Sequence, residues 1–195
     1  MDVLETELPG VFLFRSVPHR DDRGFFSRTY DDHVFARCGI RRSDFVQDSQ
    51  SRSRSGVLRG LHGRAGDGEA KIMRCAHGAA CLAVVDARPE SPAFGRHVTV
   101  SLDDVTMTSV HVPRRMLVGF LVTGAVADIC YSIDRVHDEG EGISVRFDDP
   151  DLAIPWPAGP TILSARDRHA PSWADHVATL GATTSPYRAL DVERR

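Results

Sequence analysis

Short runs of apolar residues, many alternating with polar ones, recur along this chain at 11–15, 45–50, 57–62, 70–75, 80–86, 97–102, 108–112, 119–122 and 125–133. Clusters of Gly, Pro, Asp and Ser separate them, as at Arg88-Pro89-Glu90-Ser91-Pro92, Asp103-Asp104 and Pro113-Arg114-Arg115. A period of two marks strands with one buried face. Many such runs without helical periods between them predict an antiparallel sandwich or barrel. Only two helices are predicted. One starts after Asp31, a good N-cap, runs through Val34-Phe35-Ala36 and ends near Gly39; the other spans 173–180. No repeat or linker interrupts the pattern, so residues 1–195 read as one mainly β domain. Residues 1–10 and 181–195 read as arms that pack on the barrel or on a partner subunit.

Composition narrows the possible partners. At 195 residues, 42% hydrophobic and 26% charged, the chain is long enough to bury a full core. A formal charge of -3 leaves no basic surplus for counterion release, which argues against nucleic acid. No apolar run approaches a membrane span and no signal-peptide pattern opens the chain, so a soluble, cytoplasmic protein is expected. The four cysteines, Cys38, Cys75, Cys81 and Cys130, show no C-x-x-C spacing, and three lie in apolar runs; this suits a reducing compartment.

Candidate chemistry concentrates in Ser55-Gly56-Val57-Leu58-Arg59-Gly60-Leu61-His62, with Lys71 nine residues on. Alternation puts Leu58, Gly60 and His62 on one strand face and Arg59 on the other, unless a bulge re-aims it. An imidazole in a barrel mouth is a natural general base. Six of the nine histidines (His19, His33, His97, His137, His169 and His176) read as solvated, and His111 reads as a satisfied core histidine. None forms a His-rich metal motif, so no metal is expected. Asp86 closes an apolar run at a strand end. Asp167 follows a turn signal and reads either as an N-cap or as a functional carboxylate. Tyr131, inside an apolar strand, is a packing residue or an acid, depending on what its hydroxyl meets. Arg23 could hold a phosphate or pair with a neighbouring Asp. The tract 50–54, in which Arg alternates with Ser, reads as a polar outer strand.

In order, these pieces resemble the dTDP-4-dehydrorhamnose 3,5-epimerase family. The D-x-R-G-x-F opening appears as Asp21, Arg23, Gly24 and Phe26. The motif from Gln47 and Asp48 through Ser51 to Gly56-Val57-Leu58-Arg59-Gly60-Leu61-His62 follows, then Ala70-Lys71. Val85-Asp86, Ser91-Pro92, Phe94-Gly95, Gly119-Phe120, Tyr131, Asp149-Pro150, Trp156-Pro157 and Leu163-Ser164 with Asp167 complete a collinear match over 10–170. The resemblance implies a cupin-like antiparallel jelly-roll barrel with a few short helices, acting without metal or cofactor, as a homodimer with exchanged N-terminal strands. It implies a nucleoside-diphosphate 4-keto-6-deoxyhexose substrate, dTDP-linked. It also implies His62 as base, oriented by Asp167; Tyr131 as acid from the opposite face; Lys71 at the enolate oxygen; Arg23, Arg59 and Gln47 at the diphosphate; and Asp86 as a supporting partner.

Departures fall in the pocket rather than on the acid–base pair. Arg28 replaces a Glu, Gly63-Arg64 an aromatic-polar pair, Val118 a His, and Arg135 and Val136 replace tyrosines that would stack on the base. This pattern reads as a specialised deoxysugar enzyme inverting carbon 3, carbon 5 or both, in a pathway such as antibiotic sugar synthesis. A 3,4-ketoisomerase and a non-catalytic sugar-nucleotide binder are the alternatives, distinguished by product structure and by proton exchange.

Overall fold

A computed structural model describes residues 1–183. Eleven strands carry the fold: β1 (Asp2–Glu5), β2 (Phe12–Arg15), β3 (His19–Asp21), β4 (Gly24–Phe26), β5 (Gln47–Arg54), β6 (Leu58–Arg64), β7 (Lys71–Asp86), β8 (His97–Asp103), β9 (Thr108–Val112), β10 (Met116–Ile133) and β11 (Gly142–Ser144). Three helices accompany them: α1 (Asp32–Ala36), α2 (Ala165–Arg168) and α3 (Trp173–Thr183). Asp31 caps α1 as predicted, its side chain accepting from the His33 and Val34 amides.

Two of the expected short-strand pairs are single long strands. The runs 70–75 and 80–86 join in β7, and 119–122 and 125–133 join in β10. Their antiparallel register runs from Met116↔Asp86 to Ile133↔Lys71 and slips between Val122 and Ala127. Gly78, at φ +81°, sits at this slip, where an added Cβ would lie 1.8 Å from the Val126 carbonyl oxygen. Only glycine fits there. The slip lets both strands pass from one sheet to the next. One sheet orders β1-β2-β9-β7-β10-β5; the other orders β8-β7-β10-β6-β11. The result is an antiparallel jelly roll.

Met73, Cys75, Leu82, Val84, Val110, Phe120 and Ile129 fill the space between the sheets. The alternate residues Ala83, Val85, Leu61 and Leu117 form a second cluster with Trp173 on the outer face. The second sheet is thus buried on both faces, which explains the unbroken apolar run 82–85. Burying each Val, Leu or Phe contributes about 1.5–3 kcal/mol. In the N-terminal arm, β1 pairs with β2 and brings Met1 and Val3 against Phe14 and Phe35. His111 is partly buried and satisfied, its Nδ1 lying 2.9 Å from the Gly10 carbonyl oxygen. His176, expected in solvent, is instead buried beside the Trp173 ring. Of the arm expected at 181–195, residues 181–183 end α3 and the rest lies outside the described residues. No helix among the described residues is long and apolar enough to cross a membrane.

Candidate active site

β6 departs from simple alternation. Its pairing with β10 runs Val118↔His62 but Phe120↔Arg59, so three steps on β6 oppose two on β10. Such a bulge rotates the residues on either side of it relative to one another. Arg59 and His62 therefore face the same cavity, while Leu61 turns outward into the second core cluster. Gly60 makes this possible. Its φ is +132°, and an added Cβ would meet Gly119 Cα at 2.4 Å.

The cavity, about 560 Å³, opens at the barrel mouth and is lined by Arg59, His62, Lys71, Tyr131 and Asp167. His62 Nε2 lies 2.6 Å from Asp167 Oδ1. Asp167 is reached through α2, whose N-cap is Ser164 rather than Asp167; the Ser164 hydroxyl accepts from the Asp167 amide at 3.0 Å. Burial alone would raise the Asp167 carboxyl. The hydrogen bond and charge of His62, with Ser164 and the Gly60 backbone, outweigh burial and hold it below the ordinary carboxylate value. An ionised carboxylate only accepts, so Nε2 carries the hydrogen and Nδ1 is left as the basic atom.

β10 and β7 supply the other walls. Tyr131 is mostly buried, with its hydroxyl 3.0 Å from Ser51 Oγ. Burial pushes the phenol above its ordinary value, against the lowering pull of Ser51 and Arg59, so it stays protonated at neutral pH. Lys71, the only lysine in the chain, pairs with Glu69 at 2.8 Å. Glu69 also lies 3.5 Å from Arg64, and Arg64 Nη1 donates to the Val136 carbonyl at 2.7 Å. Arg59 Nε donates to Ser53 Oγ at 3.0 Å. Of the departures, Val118 and Arg135 line this cavity, whereas Arg28 pairs elsewhere with Asp31.

Three expected binding residues lie off this cavity. Gln47 sits at its rim, accepting from the amide of His137, a lining residue, at 3.0 Å. Arg23, 90% exposed, pairs with Asp21 on the β3–β4 hairpin. Asp86, expected as a supporting partner, does not line the cavity. It is fully buried at a strand end, where Arg88 Nε donates to Oδ1 at 2.9 Å and Ser91 Oγ donates to Oδ2 at 2.6 Å. Both oxygens are thus committed to a structural corner rather than to a ligand.

Burial raises the Asp86 carboxyl, but Arg88 and Ser91 overcome this and hold it below the ordinary value. The stability it contributes is therefore present above its unfolded pKa of about 3.9 and lost as pH falls through the folded value. Asp86→Ala is expected to lower the unfolding free energy by about 3 kcal/mol at pH 7 in urea titrations, because Arg88 loses its carboxylate and keeps only the Pro9 carbonyl. A change below about 0.5 kcal/mol would contradict this account.

Sequence reasoning missed Glu69, Ser51, Ser53 and Ser164. Glu69 stands two residues from Lys71, and Ser51 and Ser53 share the spacing of one strand face, a signal that was available. Among the described residues no group of three or more His, Cys, Asp or Glu side chains is arranged to hold a metal.

Known proteins resemble the chain throughout this architecture. The family model for dTDP-4-dehydrorhamnose 3,5-epimerase matches residues 5–175. The dTDP-4-dehydrorhamnose 3,5-epimerase of Shigella flexneri is 32% identical over 176 residues, covering 90% of this chain and 97% of the relative. That of Mycobacterium tuberculosis H37Rv is 34% identical over 180 residues, covering 90% and 89%. The 4-keto-6-deoxy sugar epimerase from the novobiocin gene cluster of Streptomyces spheroides superposes with a TM-score of 0.88 at 32% identity, covering 92% of this chain and 90% of that one. A 3'-monoepimerase from Streptomyces bikiniensis, in complex with dTDP-quinovose, superposes with a TM-score of 0.83 at 31% identity, covering 90% and 89%.

Proposed function

The chain belongs to the dTDP-4-dehydrorhamnose 3,5-epimerase family, and from that membership we propose how its own cavity carries out the reaction. The protein is an isomerase of deoxysugar biosynthesis. It inverts carbon 3, carbon 5 or both of a dTDP-4-keto-6-deoxyhexose. The observation that carries the residue assignment is the His62–Asp167 pair at 2.6 Å opening into the cavity that Tyr131 and Lys71 also line.

His62 Nδ1 removes the proton beside the ketone. The C–H electron pair moves into an enolate whose negative charge rests on the carbonyl oxygen, and Lys71 stabilises that oxygen. Tyr131 gives its proton to the same carbon from the opposite side. His62 then loses its proton to solvent and Tyr131 regains one, so no electrons are gained or lost. Asp167 fixes the orientation of the ring through the bond to Nε2. Arg59 is the cavity's cation for the diphosphate, bound through paired N–H donors.

We assign Arg23 and the homodimer together. The β3–β4 hairpin pairs only with itself among the described residues and exposes Phe25 and Phe26 at 54% and 70%. In the dimer, this hairpin packs on the partner and brings Arg23 to the partner's cavity. Light scattering at twice the chain mass is the matching check. A reducing cytoplasm is the assigned compartment, which four free thiols suit.

The activity is tested by proton NMR of dTDP-4-keto-6-deoxyglucose with the protein in heavy water. Loss of the carbon 3 signal alone would mark a single-centre epimerase, and loss at carbons 3 and 5 a double one. Product structure separates inversion from carbonyl transfer. Exchange at neither carbon would count against the assignment.

A further inference from the structure

β5 arranges its polar residues by face. Asp48, Gln50, Arg52 and Arg54 are exposed, with Asp48 bonded to Arg42 and Arg52 to Asp128. Ser49, Ser51 and Ser53 occupy the alternate positions. Ser49 lines the cavity, Ser51 meets the Tyr131 hydroxyl and Ser53 accepts from Arg59. The tract that read as a plain outer strand is therefore two-sided, and its inner side touches both the acid and the diphosphate cation. The β5–β10 register places Ser49 opposite Tyr131 and Ser51 opposite Ile129, so Ser51 reaches the phenol diagonally.

The direction of the hydrogen bond at 3.0 Å decides whether Tyr131 can act. If the phenol donates to Ser51, its proton points away from the sugar. If Ser51 donates, the phenol proton is free for the cavity, and the same donor meets the phenolate left after transfer. A hydrogen bond to an anion is roughly twice as strong as one to a neutral oxygen, so the second arrangement strengthens as the new C–H bond forms.

Building on the epimerase reading above, we propose that Ser51 is the positioning residue of the acid. Its hydroxyl donates to the Tyr131 oxygen, turns the phenol proton toward the substrate and stabilises the phenolate until solvent reprotonates it. Ser51 meets Tyr131 and does not itself line the cavity, so it governs return of the proton, whereas His62 governs removal. Removal without inversion returns a solvent-derived proton from the original side. The ratio of inverted product to hydrogen exchange therefore reads the acid separately from the base.

The experiment follows the dTDP-4-keto-6-deoxyglucose reaction in heavy water, comparing wild type, Ser51→Ala and Ser51→Thr. Deuterium at carbon 3 of recovered substrate and the amount of inverted product are scored together. Ser51→Ala is expected to keep exchange within roughly threefold of wild type and to lower inversion per exchange about tenfold, the loss of one charge-assisted hydrogen bond. Ser51→Thr keeps the hydroxyl and is expected to retain the wild-type ratio. An unchanged ratio in Ser51→Ala, an equal fall in exchange and inversion, or a Thr variant as impaired as Ala would overturn the assignment. Absence of exchange in wild type would overturn the epimerase reading and this inference with it.

Discussion

His62→Asn is expected to slow hydrogen exchange beside the ketone by about 10²–10⁴-fold, the usual contribution of a positioned general base, while leaving dTDP binding nearly intact. The substitution is chosen for its shape. An amide fills the Cγ–Nδ1 side of the imidazole's space but not the position of Nε2, now 2.6 Å from Asp167, whose remaining hydrogen-bond partners are Ser164 and the Gly60 backbone. What disappears is the basic nitrogen. The Asp167 carboxylate stays engaged by Ser164 and the Gly60 backbone and does not replace the lost base. Arg59 and the apolar walls, which the proposed mechanism gives to the nucleotide, are untouched. Exchange measured by NMR, set against dTDP affinity by calorimetry, separates the two effects. A variant exchanging within tenfold of wild type would remove His62 from the base role.

Tyr131→Phe is expected to give the complementary result. Exchange at carbon 3 continues, because His62 and Lys71 remain, while inverted product falls by about 10²–10⁴-fold because the acid is gone. The ring's packing is preserved, and the one new deficit is Ser51, whose hydroxyl loses its phenol partner. That costs about 1–2 kcal/mol of stability at most, since Ser51 is only partly buried. Protein melting and product analysis are measured together, so a fold defect is distinguished from a lost acid. Inverted product formed at the wild-type rate would show that another group returns the proton. Loss of exchange in step with inversion would make Tyr131 part of proton removal instead.

The contrast between these residues also shows what a sequence reader can and cannot see. The strand runs, the Asp31 cap and the helix over 173–180 follow from periodicity and local hydrogen-bond chemistry, which act over a few neighbouring residues. The clustering of motifs around Gly60, His62 and Lys71 was equally legible, because a family pattern is written in residue order. Asp86 was not legible. An Asp closing an apolar run looks the same whether it faces a ligand or, as here, an Arg two residues on.

The sequence by itself determined a mainly antiparallel chain and the residue types needed for acid–base work on a sugar nucleotide. Tertiary structure decided how those residues meet. Alternation on β6 alone put Arg59 and His62 on opposite faces; the bulge against β10, made possible by Gly60 lying on Gly119, put them on one. Likewise β7 and β10 each became one strand through their shared register slip at Gly78, and Asp167 reached His62 across 105 residues. Register and long-range contacts depend on the energy of pairing between segments, a quantity that neither segment carries alone.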